Sequence, residues 1–160
     1  MDSTRHEGST SHKVQELEST LRSLIGVLED SQRGMAEIGE RLKDQTLRRY
    51  FLMESLRRAN FRGELENILH QHGVADVRES GTAVGAVYRA WAELKAALGV
   101  GDEAMLKTAE ESEAEALDAY RIALNVELPV PVRQKVAEQR THILIAHEYL
   151  QEQRAGFRAA

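Results

Sequence analysis

The chain has no cysteine, only two prolines and few aromatic residues. Without cysteine it cannot form a disulfide, a thiolate nucleophile or a thiolate metal site, and this agrees with a reducing compartment such as the cytoplasm. Both prolines fall within residues 129–131, so the long segments on either side are free to be helical. The sequence also has no Gly-rich phosphate loop, no Gly-x-Ser-x-Gly elbow and no His-Glu-x-x-His zinc helix.

Charge and hydropathy exclude further classes of protein. The net charge is −5, and the arginines are scattered among glutamates, so no basic stripe is available to neutralise the phosphates of a nucleic acid. No run of about 18 apolar residues is present, so we expect no membrane span. The first residues lack an apolar core of the signal-peptide kind, so we expect a cytoplasmic protein. A length of 160 residues suits one domain.

Apolar residues predict two long helices in the first half of the chain. From Lys13 to about Lys43 they recur at alternating intervals of three and four, which is a heptad seam. Asp44 is placed to cap a second helix that ends near Gly73. The polar and small residues 1–12 are expected to be a disordered tail, and residues 13–153 to form a single helical domain.

Three more helices are predicted in the second half. They cover residues 82–98, residues 102–125, and a last stretch from Pro131 that frays near Gly156. The short connections make two antiparallel hairpins, and a helix over 82–98 is about 24 Å long, enough to cross from one end of a bundle to the other. We therefore predict an all-α four-helix bundle with a short extra helix in the long crossover between helices two and three.

Charged side chains interrupt the apolar stripes of these helices. Glu113 lies on the stripe of helix 102–125, Glu110 lies on its edge, and Glu54 and Arg58 lie four residues apart on the stripe of the second helix. A buried carboxylate costs several kcal/mol unless a metal, an arginine, a histidine or water satisfies it. These side chains therefore predict a polar layer inside the bundle.

Counting residues outward from each hairpin indicates which side chains share a level. Asp30 comes level with Arg58, Glu110 with His147, and Glu113 with His142. The predicted interior polar set is Asp30, Glu54, Arg58, Glu110, Glu113, Gln139 and one or both histidines.

Two interpretations of this layer remain open. A di-iron centre of the ferritin-like kind needs a Glu from each of two helices and Glu-x-x-His from each of the other two. The second helix offers Glu54-x-x-Arg57 and the last helix offers Gln139-x-x-His142. Since a guanidinium is always charged and accepts no hydrogen bond, Arg58 favours a salt-bridged layer without metal.

The alternative is a degenerate di-metal site. Its ligands would be Glu54, Glu110, Glu113 and His147. Hard oxygen donors with one imidazole suit iron or manganese better than copper.

Several segments resemble an uncharacterised bacterial family that is catalogued as a domain of unknown function and grouped with ferritin-like four-helix bundles. The segments are Arg58-Ala-Asn-Phe61-Arg-Gly-Glu64-Leu65, Val84-Gly85-Ala-Val-Tyr88-Arg89-Ala-Trp91, Lys95-Ala-Ala-Leu98, residues 110–120 and Ala146-His147. The resemblance covers about residues 20–150 and implies a ferritin-like bundle with a link to stress response. The chain departs from the usual pattern in having Tyr88 where a histidine is common, which weakens any role for the crossover as a ligand donor, and Ser112 in place of glycine.

These observations support more than one function. The first hypothesis is a non-enzymatic interaction or stress-associated protein, whose long apolar seam favours self-association as a homo-oligomer. The second is a carboxylate-bridged iron or manganese protein. A third is the binding of a small apolar ligand between helices.

Overall fold

The computed structural model describes residues 3–75 and 101–159, and in this part of the chain it contains four α-helices. They are α1 (Ser3–Arg41), α2 (Gln45–Gln71), α3 (Asp102–Leu124) and α4 (Val130–Ala159). The prediction of an all-α helical bundle is confirmed for these residues. The crossover helix predicted over residues 82–98, with Tyr88 and Trp91, lies outside the described residues. None of the described helices combines the length and apolar character that a membrane span requires.

Helix α1 starts earlier than its heptad seam. Residues 3–12, whose composition predicts a tail, form its first turns in the structure. The residues from Gly8 to Gln15 are exposed, so this part of the helix packs little. Extending an existing helix requires no new nucleus, and polar residues therefore suffice for these turns.

The connection between α1 and α2 is fixed by two carboxylates. Asp44 caps α2, since its side chain accepts a hydrogen bond from the backbone N–H of Leu47 at 2.9 Å. Asp102 is the first residue of α3. Its carboxylate accepts from the backbone N–H groups of Lys43 and Asp44 at 3.0 and 3.1 Å. The start of α3 is thereby held against the α1–α2 connection.

Apolar faces of the four helices meet in one core. Helix α1 packs mainly on α2 and α3, and α3 packs on α4. The most deeply buried apolar side chains include Leu21, Leu28, Met35, Ile38, Phe51, Leu65, Leu69, Leu106, Tyr120, Val136 and Leu150. Close approach of α1 and α2 depends on Gly39, where an added Cβ would lie 2.9 Å from the Leu52 side chain.

Side-chain contacts fix the register of α2 against its neighbours. The Ser55 hydroxyl donates to the backbone carbonyl of Gln32 on α1 at 2.9 Å. On the other side of α2, the Tyr50 and Tyr149 rings lie 4.2 Å apart between centroids. These contacts fix the height of α2 against α1 on one side and against α4 on the other, and thereby the level of the charged residues on the apolar stripes.

Candidate functional site

Arg58 is the centre of the polar layer. Its side chain is fully buried on the core face of α2. One guanidinium nitrogen, Nη2, lies 2.6 Å from Oε2 of Glu113 on α3 and 3.2 Å from Oε2 of Glu54, one turn earlier on α2. A single positive charge therefore contacts two buried carboxylates, one from its own helix and one from across the bundle.

Glu113 is fully buried, and burial raises its pKa to about 6 although Arg58 acts in the opposite direction. Only one of its oxygens is used: Oε1 has no hydrogen-bond partner among the described residues. The same is true of Nε and Nη1 of Arg58. The pair is thus joined by one short contact and leaves polar atoms on both sides unsatisfied by the described part of the chain.

Glu54 links Arg58 to His142 on α4. The imidazole Nε2 lies 3.1 and 3.0 Å from the two carboxylate oxygens of Glu54. Burial by itself would raise the pKa of Glu54, but the hydrogen bond with His142 and the charge of Arg58 together lower it. The His142 ring also stands edge-on to Phe61 at 5.3 Å, which holds it beside Glu54.

We call Glu54, Arg58, Glu113 and His142 the ion-paired layer. Two carboxylates and one guanidinium give it a net charge of −1 when His142 is neutral and both carboxylates are ionised. One proton, on either His142 or Glu113, brings the net charge to zero. The layer is closed to solvent at Arg58 and Glu113, and His142 is its partly exposed end.

A second polar chain lies beside the ion-paired layer. The buried Tyr120 hydroxyl donates to Oε1 of Gln139 at 2.7 Å, and burial raises the pKa of Tyr120, so it remains a hydroxyl donor. Gln139 Nε2 donates to the backbone carbonyl of Phe61 at 3.1 Å and to Glu64 at 3.4 Å. Lys135 then pairs with Glu64 at 2.8 Å. This chain ties α2, α3 and α4 together.

The four residues of the metal hypothesis do not meet in one place. Glu54 and Glu113 contact Arg58, whereas Glu110 is half-buried and forms an ion pair with Arg154 at the other flank of α3. The His147 side chain is half-buried and forms no hydrogen bond or ion pair with the described residues. In that part of the chain no three His, Asp or Glu side chains are close enough together to hold a metal ion.

The donor set of the layer therefore does not fit a di-metal centre. Arg58 places a fixed positive charge between the two carboxylates that such a centre would share. Gln139, at the position of a ligand on α4, uses its amide to bind Tyr120 and Phe61. Apart from Oε1 of Glu113, which has no partner among the described residues, the carboxylate oxygens of the layer are directed at protein donors.

The structure gives Asp30 and His142 surroundings that the residue count does not specify. Asp30 is half-buried on α1, where burial raises its pKa and Arg33 partly offsets the shift. His142 contacts Glu54, although the count sets it level with Glu113. The pairs Glu110–Arg154 and Glu64–Lys135 have no counterpart in the sequence prediction, since nothing local to either residue marks its partner.

The fold and the layer together define a helical bundle with an arginine-centred polar interior. The chain belongs to the family described as Domain of unknown function (DUF2383), whose model matches residues 16–126. No curated protein matches the chain. Glu54, Arg58 and Glu113 lie inside the matched span, whereas His142 and Gln139 lie beyond it.

Proposed function

We propose that the chain is a non-enzymatic helical-bundle protein that acts by binding other proteins, and that Arg58 rather than a metal ion holds its interior carboxylates. The contact of one fully buried guanidinium nitrogen with both Glu54 and Glu113 carries this proposal. An arginine cannot lose its charge in a protein, so both carboxylates have a permanent positive partner without any added cation.

Burial supports the non-enzymatic part of the proposal. Arg58 and Glu113 are fully buried, and Glu54 is nearly so. Only His142 reaches the surface among the four residues of the layer, and it is bonded to Glu54. A substrate has no access to these groups without separation of the helices, so the layer serves to position helices.

The proposal includes a ferritin-like arrangement of the bundle. Helices α1 and α2 form one hairpin, and α3 and α4 form another. The end of α2 and the start of α3 are separated by 30 residues of chain, which is long enough for a crossover. The stress-associated role is the part of the proposal that rests on the family resemblance.

Metal titration tests the proposal against its alternative. Chelator-treated protein is titrated anaerobically with Fe(II) and separately with Mn(II). The heat of binding is measured by calorimetry, and the melting temperature is measured by thermal unfolding. We expect neither saturable uptake nor a shift in melting temperature, because Arg58 competes with a cation for both carboxylates.

The alternative, an iron or manganese protein that uses Glu54, Glu110, Glu113 and His147, has the opposite signature. Stoichiometric uptake that disappears in Glu113→Ala would overturn the proposal. The matched control is Glu115→Ala, an exposed glutamate on the same helix, which must leave any uptake unchanged.

A further inference from the structure

The outward-facing surface of α2 is unusually apolar. Met53 and Leu56 are 60% and 73% exposed there, whereas the Leu52 side chain packs against Gly39 of α1 and is not part of this surface. On α4, Ile145 is 58% exposed. We call Met53, Leu56 and Ile145 the outer apolar patch. Adjacent exposed apolar side chains of this size mark interaction surfaces more often than isolated ones do.

The register of α2 against α4 sets the residues of the patch at one level of the bundle. Tyr50 contacts Tyr149, Glu54 contacts His142, and Glu64 contacts Lys135, so the two helices run antiparallel. Between the first two contacts, Met53 falls level with Ile145. The residues of the patch therefore lie within one turn of each other along the bundle axis.

Charges flank the patch with opposite signs on its two helices. On α2 the exposed Arg49 precedes Met53. On α4 the exposed Glu148 and Glu152 follow Ile145. The α2 half of the surface is thus apolar and basic, and the α4 half is apolar and acidic.

We propose that this surface binds a second copy of the chain in a twofold-symmetric dimer, with α2 of each subunit lying over α4 of the other. A self-complementary patch is what an isologous interface requires. The apolar side chains supply the buried centre, and the flanking charges set the orientation.

The charges select between two orientations of the twofold axis in the plane of the interface. An axis perpendicular to the helices at the level of Met53 sets α2 antiparallel on α2, and Arg49 then comes level with Arg57 of the partner subunit, a pair of like charges. An axis parallel to the helices sets α2 over α4 of the partner and keeps every residue at its own height along the bundle. Leu56 and Met53 then face Ile145 of the partner subunit, and Arg49 comes level with the partner's Glu148 and Glu152.

Sedimentation velocity and light scattering over a concentration series test this proposal on the full chain. We expect the wild-type protein to reach twice the monomer mass as concentration rises. Leu56→Glu should raise the dissociation constant about 30-fold or more, as for a residue at the centre of an interface. The matched control is Ile122→Glu on α3, where the apolar side chain is 55% exposed, and it should leave the dimer intact.

A charge exchange tests the orientation. Arg49→Glu and the pair Glu148→Arg with Glu152→Arg should each weaken the dimer several-fold, and the triple combination should restore it. Circular dichroism confirms that each variant is folded.

A wild-type chain that is monomeric at every concentration overturns the proposal. So does a dimer that Leu56→Glu leaves intact, or one that the charge exchange fails to restore. The dimer proposal goes beyond the proposed function, and either of these proposals can be overturned without the other. These substitutions lie outside the ion-paired layer, and metal uptake does not bear on assembly.

Discussion

Arg58 and Glu113 form the contact on which the interior depends, and their energetics are asymmetric. Both side chains lose all contact with water, so each pays a large desolvation cost that their mutual attraction only partly offsets. The raised pKa of Glu113 is the measurable sign of this imbalance, because desolvation outweighs the guanidinium. The pair is therefore better understood as a constraint on helix packing than as a source of stability.

The pKa of Glu113 predicts a specific pH dependence. Because the folded pKa is raised from 4.5 to about 6, its contribution to stability is complete below pH 4.5 and is lost as pH rises through 6. The unfolding free energy of the wild type minus that of Glu113→Gln should fall by about 2 kcal/mol between pH 4 and 7.5. Urea unfolding at a series of pH values measures it.

The test uses the difference in unfolding free energy between the wild type and Glu113→Gln, because Glu54 changes the stability of both proteins with pH in the opposite direction. Its folded pKa is lowered, so its contribution is present above pH 4.5 and is lost as pH falls through the folded value. Glu111→Gln, an exposed glutamate on the same helix, is the control and should give a flat difference. If the free-energy difference for Glu113→Gln is also independent of pH, burial does not raise the pKa of Glu113, and the prediction is wrong.

At the scale of single residues, part of the site could be predicted from the sequence. Glu113 interrupts an otherwise apolar helical stripe, and Arg58 does the same on α2, so burial and pairing were predictable from periodicity. The partner of His142 was not, because a count of residues gives the height of a side chain and not its direction around the helix. His142 and His147 point about 140° apart, so only one of them can face Glu54.

At the scale of helices, the α1–α2 contact depends on the absence of a side chain at Gly39. The predicted effect of Gly39→Ala is the sum of two opposed terms. Alanine favours a helix by about 1 kcal/mol over glycine, but the new Cβ would lie 2.9 Å from Leu52, and overpacking costs about 1–3 kcal/mol. We expect a net loss of about 1 kcal/mol in urea unfolding.

Gly63 on α2 is the matched control for Gly39. A Cβ added there meets nothing within 4 Å. Gly63→Ala should therefore stabilise the protein by about 0.5–1 kcal/mol through helix propensity alone. Equal gains at both positions would show that α1 and α2 are not held as closely as the structure has them.

Helix ends were predictable where a residue with special backbone chemistry marks them. Asp44, Gly73 with its positive φ of 84° and Pro131 each mark an observed end to within about two residues. The start of α1 carries no such mark, and the prediction placed it at Lys13 instead of Ser3. A polar, exposed segment can extend a helix without any apolar periodicity to reveal it.

For the whole molecule, apolar periodicity predicted the helical bundle, and the charged residues on the apolar stripes predicted a polar layer inside it. Contacts between distant segments, such as Glu110 with Arg154, were beyond prediction because they depend on the rotation of α4 against α3. Arg58 is the positively charged partner that Glu54 and Glu113 share. Its removal should leave the buried Glu113 without an ion pair and Glu54 with His142 as its remaining partner.

Urea unfolding of Arg58→Met at pH 7.5, in the presence of EDTA, tests that claim most directly. We predict a loss of about 3–5 kcal/mol relative to the wild type, as for a buried pair that loses one partner. The control Arg57→Met, at an exposed position, should lose less than about 0.5 kcal/mol. A loss below about 1 kcal/mol for Arg58→Met, the value of an exposed pair, would contradict the account.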